Sequence, residues 1–442
     1  MGNGVKNEKG GDVKKAARVF VRHPILIVAI FIIAFYLPAG LSAPPEGLEF
    51  IHATSIGVDK NDDGVELSIL AFVISPSENY NESFHFLSAK AENLADALNL
   101  IGENVGKRVV LAHAGVIVLG EELARNGVIE ELNYFFRSHT IPNDTYLITS
   151  NVPASEFLKA EQKLISEAGV RVEEIGIYND KFHFFNDINL EAFYKGYFSS
   201  SKASMTGYVQ LVNEEDALQQ SGQGVEGGSG SFGPPADSAQ ESGGQGGQGG
   251  QEGGKNKKFV QNLIQIAVFY DGVMQDFLSR EETMGLNWIS RNLDNTEITL
   301  KNISDENFDN ADLVFMIENN FVQRNAYFVD GKPVLEISIT LTADIQEVLR
   351  VLSDIKPKIA SSKSYLTKTV SNEIEAQVKR EFSSGLRKLF QEKADVIEAL
   401  STLEYNDFNK TKKWLSSLSE SQKENYLSLI DYRLSVKVRT GR

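Results

Sequence analysis

Six histidines, two adjacent glutamate pairs and one aspartate-rich hexapeptide are the residues whose types could do chemistry in this chain. The histidines are His23, His52, His85, His113, His139 and His183. Metal binding needs imidazoles at paired spacing, as in His-Glu-x-x-His, and no such pair occurs. His113 lies between two apolar runs and reads as a structural histidine. Glu121-Glu122 and Glu281-Glu282 raise the idea of glycoside hydrolysis, which uses two carboxyl groups facing each other across a sugar. Neighbours on a helix point apart, so these pairs read as solvated charge. Asp59-Lys60-Asn61-Asp62-Asp63-Gly64 imitates the start of a calcium loop, but its twelfth position is Leu70 where a bidentate glutamate is required. The segment reads as turn chemistry instead.

Other reaction signatures are missing. The chain has no cysteine, which excludes disulfides, thiolate metal sites, cysteine nucleophiles and iron–sulfur clusters. No Walker phosphate loop and no Gly-x-Ser-x-Gly elbow occurs, and no strand leads into the Gly-Gly-Gln-Gly-Gly stretch as a dinucleotide turn requires. Trp288 and Trp414 sit in amphipathic stretches, where packing accounts for them. The expectation is therefore no catalytic residue, no cofactor and no metal. With 60 Asp and Glu against 44 Lys and Arg, the net charge of −16 also argues against nucleic acid, which needs a concentrated basic face.

The elements that must carry any binding role begin with an anchor. Residues 1–23 form a basic segment holding Lys6, Lys9, Lys14, Lys15, Arg18 and Arg22. Residues 24–41 are an uncharged apolar run that reaches roughly 27 Å as a helix, enough for a thin bilayer. The basic flank stays cytoplasmic, which places the remainder outside. A cleaved signal peptide is the competing reading, because the densest apolar part is of h-region length. Pro44 would then follow the scissile bond, which disfavours cleavage, so a retained transmembrane anchor is expected. Leu41-Ser42-Ala43 is what precedes a lipidated cysteine, but Pro44 has no thiol to carry a lipid.

Beyond the anchor, 442 residues leave room for two or three domains. Residues 45–200 read as an α/β domain: a hairpin over Glu49–Ile74, a helix over Lys90–Val105, buried strand at Val109–Leu111 and Val116–Leu119, a helix over Val128–Phe136, and Pro153 opening another. Residues 201–300 read as a middle domain interrupted by a low-complexity insertion, 221–254, with too little apolar surface to order itself. Apolar strand on both sides favours an insertion within one domain, and an interdomain linker is the alternative. Residues 301–442 read as α+β: a hairpin turning at Asp330-Gly331, a helical region over Ser364–Leu400 with a candidate break at Ser383-Ser384-Gly385, and a closing strand at Leu434–Val438. The fold class expected is mixed α/β and α+β, in several domains behind one transmembrane helix.

Against that background, short segments resemble a known family. Glu46-Gly47-Leu48-Glu49 followed by Gly57-Val58-Asp59 is similar to the mature start of the Ger(x)C proteins, which open Cys-Trp-Asp-x-x-Glu-Ile and run to a Gly-Ile-Asp turn. Pro44-Pro45 stands where that family has Cys-Trp. His113 through Val116-Ile117-Val118-Leu119-Gly120-Glu121-Glu122-Leu123-Ala124 resembles its His-x-x-x-Ile-Val-Ile-Gly-Glu-Glu-Leu-Ala segment, and Phe135-Phe136-Arg137 its next helix end. Ala267–Gly272 with Leu278 and Glu281-Glu282 resembles its middle segment, and the closing Val436–Gly441 its last strand and glycine. After the long helix the family has Asp-Ile-x-Gly-Phe-Gly, of which Lys393-Ala394-Asp395-Val396-Ile397 keeps little.

The resemblance implies a C subunit of a spore germinant receptor: three mixed domains, no recognised catalytic residue, and an outer-face position on the inner spore membrane. Its partners would be two polytopic subunits, of A and B type, in a complex that senses a small-molecule germinant. Glu49, Gly57, Asp59, His113, Gly120, Glu121, Arg137, Glu281 and Gly441 are the motif positions, with no role assigned. A tethered cell-envelope scaffold in vegetative cells, or an enzyme on wall polymer or peptide, would share the anchor and differ in partners.

Overall fold

β1 (Phe50–Asn61) and β2 (Gly64–Ile74) form the expected hairpin, extended by β3 (Glu82–Ala91). The computed structural model describes residues 50–74, 82–138, 140–168, 188–213, 259–289, 296–305, 307–308, 310–349 and 365–440. The segments 1–49 and 221–254, with the anchor and insertion read there, lie outside the described residues. Among those described, no helix is long and apolar enough to cross a membrane.

After β3 come α1 (Leu94–Val105), β4 (Arg108–Val110), β5 (Val116–Gly120), α2 (Glu121–Asn126), α3 (Ile129–Ser138), β6 (Tyr146–Ser150), α4 (Ala154–Ala168), α5 (Leu190–Tyr197), β7 (Ala203–Asn213), β8 (Phe259–Tyr270) and β9 (Val273–Phe277). Among the described residues they make a nine-stranded sheet ordered β3-β2-β1-β5-β6-β7-β8-β9, with β4 also on β1. The neighbours from β1 to β7 are parallel, because helices return the chain between them. Parallel strands are covered on both faces, and β5 shows it. Its Ile117 and Leu119 enter one core with Leu123, Leu132, Phe135 and Phe193, while Val116 and Val118 enter another with Phe157 and Leu158.

The start of α1 differs from the expected Lys90. Lys90 and Ala91 finish β3, and the helix opens at Leu94 because the Asn93 side chain accepts a hydrogen bond from the Asp96 backbone N–H. Val109 and Val110 are half-buried on a three-residue strand, not core. Asn213 pairs with Phe259, so residues 214–258 leave and re-enter the sheet at adjacent positions. The sheet also runs through residue 200, where a domain boundary was expected.

The second sheet is β10 (Thr296–Ile303), β11 (Ala311–Val329), β12 (Lys332–Leu349) and β13 (Asp431–Thr440), in that order. The β11–β12 hairpin turns at Asp330 and Gly331, both left-handed at φ 49° and 79°, the two-residue turn whose twist matches the strands. β13 closes the chain as a parallel edge strand on β12. Across this sheet lies α7 (Lys368–Glu392), whose Val370, Ile374, Val378, Phe382, Leu386 and Leu389 form a buried stripe at helical spacing. It is followed by α8 (Ala399–Ser417) and α9 (Glu420–Glu424).

The candidate break at Ser383-Ser384-Gly385 does not occur: α7 runs straight through it. Gly385 serves contact instead. Here α7 crosses α6 (Arg280–Asn287), and a Cβ on Gly385 would lie 2.6 Å from the Glu282 carbonyl, one on Gly285 2.0 Å from that of Glu381. Two facing glycines let the backbones touch.

One strand belongs to both halves. Ala267 and Phe269 of β8 face the first core, while Ile266 and Val268 join Leu278, Leu286 and Trp288 in the core beneath the second sheet. Period-two alternation therefore makes β8 a shared wall.

Candidate functional site

The structure brings three of the motif residues, Gly57, Asp59 and Gly120, together at the N-terminus of α4. The first four N–H groups of a helix lack partners within it, and Pro153, just before α4, has no side-chain acceptor. Asp59, at the far end of β1, supplies one. Its Oδ1 accepts from the Ala154 N–H at 2.6 Å and its Oδ2 from the Ser155 N–H at 2.8 Å. The expected turn role of Asp59 is therefore corrected: it lies within a strand, buried, and caps a helix 95 residues along the chain.

Gly120 and Gly57 shape the space around that carboxylate. A Cβ on Gly120 would lie 2.2 Å from Asp59 Oδ1, and one on Gly57 3.0 Å from both Ala154 Cβ and Leu158 Cδ1. Burial raises the Asp59 pKa above the usual aspartate range, the Ser155 and Ala154 N–H groups oppose that, and Glu66 adds a smaller upward push. Both oxygens are engaged by backbone and walled by Gly120, an arrangement that holds a helix in place.

Glu121 follows Gly120 and begins a string of charges. It pairs with Arg125 Nη2 at 2.7 Å and accepts from the Tyr208 hydroxyl at 3.1 Å. Arg125 also donates to the Gln275 carbonyl at 3.1 Å and approaches Asp276 at 3.7 Å. Lys388 of α7 pairs with Asp276, and with Glu392 at 2.9 Å. Burial pushes the Asp276 pKa up, but Lys388, the Phe277 N–H and Arg125 outweigh it and hold the carboxyl below its ordinary value. Burial and the Glu121 carboxylate drive the Tyr208 hydroxyl pKa well above the usual tyrosine value. The string joins α2, β9 and α7, so Glu121 is a structural ion-pair residue.

The other motif positions stand apart from this cluster. His113 is exposed at the opposite end of β5, its ring edge-on to His52 with centroids 5.0 Å apart. Arg137 is exposed in the last turn of α3, and Glu281 in the first turn of α6 beside the Ser279–Glu282 capping box. Glu49, Gly441 and Pro44 lie outside the described residues. Among the described residues, no group of three or more His, Asp or Glu side chains is arranged to hold a metal ion.

A second buried aspartate, which the sequence reading passed over, repeats the device. Asp395 accepts from the Ala399 and Leu400 N–H groups, each at 2.8 Å, and from the Tyr426 hydroxyl at 2.6 Å. It caps α8, whose own N-cap, Glu398, makes no side-chain bond. Burial pushes the Asp395 pKa up to about 6, against the pull of its three donors. Glu398 is left-handed at φ 57°. Set against Asp-Ile-x-Gly-Phe-Gly, Asp395 falls on the aspartate and Glu398 on the first glycine. Arg324 ties the same loop down, donating to the Ile397 and Ile289 carbonyls at 2.8 Å each.

Residues 49–211 match the family model described as spore germination protein N-terminal domain, and residues 264–440 the one described as spore germination B3/GerAC like, C-terminal. No curated protein matches. A solved structure titled "Crystal Structure of the GerBC protein" aligns over 88% of this chain and 97% of its own, at 14% identity and a TM-score of 0.47. The two family models follow one another along most of the sequence, and the chain belongs to the Ger(x)C family of spore germination proteins.

Proposed function

We propose that this chain is a non-enzymatic, membrane-tethered C-type subunit of a spore germinant receptor, acting with polytopic A and B type subunits in nutrient-triggered germination. The observation that carries the reading is the ordered pair of spore germination models, over residues 49–211 and 264–440. The clustered motif carboxylates support a non-catalytic role, because Asp59 and Glu121 are engaged in capping and ion pairing. The apolar run 24–41 behind a basic leader supports the tether, with Pro44 at the position of the lipidated cysteine. On this reading the ectodomain stands on the outer face of the inner spore membrane.

Co-purification from sporulating cells tests the assignment: two multi-span proteins come with the chain, and the chain stays in the membrane fraction after alkaline washing. Spores lacking it lose their response to at least one nutrient. Normal germination of the deletion strain with every nutrient overturns the receptor role.

A further inference from the structure

Four of the five exposed Phe and Tyr residues among the described residues, all but Phe321 of β11, gather at the rim of the first sheet through which the chain enters. β1 starts at Phe50, and the parallel register carries that rim across the sheet. β5, β6 and β7 all start on it, and Ala203 at the start of β7 pairs with Tyr270 at the end of β8. Tyr270 is 41% exposed and Phe198, just ahead of β7, is 71% exposed. Tyr405 and Phe408 of α8 are 92% and 57% exposed.

Hydrogen bonds and ion pairs tie these residues into one neighbourhood. Ser200 donates to Glu404, the residue before Tyr405, at 2.7 Å. Lys202 pairs with Asp271, the residue after Tyr270, at 3.1 Å, and Lys195 with Glu398 at 3.6 Å. α8 kinks at Asp407, between the two exposed aromatics, and Asp407 caps its second half through the Lys410 N–H at 3.0 Å.

The chain carries −16 overall, yet the second half of α8 exposes Lys410, Lys412 and Lys413. Lys410 pairs with Asp407 at 2.9 Å. Lys412 and Lys413 have no carboxylate partner among the described residues.

Protruding aromatics beside lysines are the composition of a bilayer interface, where amphipathic rings sit at the headgroups and lysines meet anionic lipid. The occupant follows from the length of chain leading in. Residues 42–49 separate the apolar run from β1, a span of at most about 30 Å when fully extended. From β1 to β8 is four strand spacings, about 20 Å. The aromatic rim is thus within tether reach of the bilayer that holds residues 24–41. We propose that Phe198, Tyr270, Tyr405 and Phe408, with Lys412 and Lys413, form a second membrane contact that seats this rim on anionic lipid. The inference rests on the anchored reading of the chain given above.

The absence of cysteine makes the test direct. Full-length Tyr405→Cys and Phe198→Cys, and Asp62→Cys on the opposite rim, are each labelled with the fluorophore NBD. They are then reconstituted into phosphatidylethanolamine–phosphatidylglycerol vesicles carrying a nitroxide lipid. Labels at 405 and 198 shift to the blue and are quenched about threefold more than the label at 62, because interfacial side chains enter the headgroup region. Equal quenching at all three positions in vesicle-bound protein overturns the lipid contact and leaves the patch to a protein partner. Protein that fails to float with vesicles overturns the anchor itself, and this inference with it.

Discussion

Gly120 has no side chain because Asp59 fills the place where one would stand: a Cβ there would lie 2.2 Å from the carboxylate oxygen that caps α4. Two distant motif residues therefore do one job. Gly120→Ala displaces the carboxylate from Ala154 and Ser155 and leaves buried donors unpaired, a cost of about 2–4 kcal/mol. Asp59→Ala loses the same bonds without the clash, at about 2–3 kcal/mol. Urea unfolding of the two variants and of their combination checks this: shared cause makes the double mutant little worse than Gly120→Ala alone.

Asp395 gives stability a pH dependence of known sign. Its folded pKa of about 6 stands above the ordinary value of 3.8, so the folded state holds the proton more tightly. The contribution is fully present below about pH 4 and is lost as pH rises through about 6, on the order of 2–3 kcal/mol. Asp395→Asn does not titrate. Wild type should lose stability relative to that variant between pH 4 and pH 7, measured by chemical denaturation, and parallel profiles would refute the assignment.

Glu398 occupies a left-handed conformation at φ 57° that favours glycine. Its ion pair with Lys195 is exposed at 3.6 Å and is worth no more than a few tenths of a kcal/mol. Glu398→Gly is expected to raise stability by about 0.5–1 kcal/mol. A lower melting temperature for this variant would show that the glutamate makes contacts outweighing the strain.

Gly385 separates two opposed effects cleanly. On an isolated helix, alanine there would gain about 1 kcal/mol over glycine. In the fold its Cβ would press on the Glu282 carbonyl at 2.6 Å and Leu286 at 3.1 Å. Packing should win, so Gly385→Ala costs about 2 kcal/mol or more, because neither backbone can retreat without opening the core around Leu286 and Phe382. Thermal unfolding decides it by the sign of the change.

Much of the architecture was legible along the chain because it depends on neighbours. The β1–β2 hairpin, the Asp330-Gly331 turn, the apolar β5 and the stripe of α7 all follow from local spacing and turn chemistry. Local pattern failed where distant chain intervened. Asn93, three residues into the helix expected from Lys90, is its cap, because Lys90 and Ala91 pair with Glu66 and Val65 of β2. Ser383-Ser384-Gly385 looks like a break because small polar residues weaken helices, but a second helix at Gly285 requires that smallness.

The sequence by itself determined the element types, the sidedness of the apolar positions and the motif residues that mark the family. Only the tertiary structure decided what those residues do. Asp59 reads as a turn residue until α4 is placed against it, and Asp395 reads as nothing until Ala399, Leu400 and Tyr426 close around it. The physical reason is burial. A carboxylate takes its role from the donors that replace water around it, and these arrive from 4 to 96 residues away in the chain.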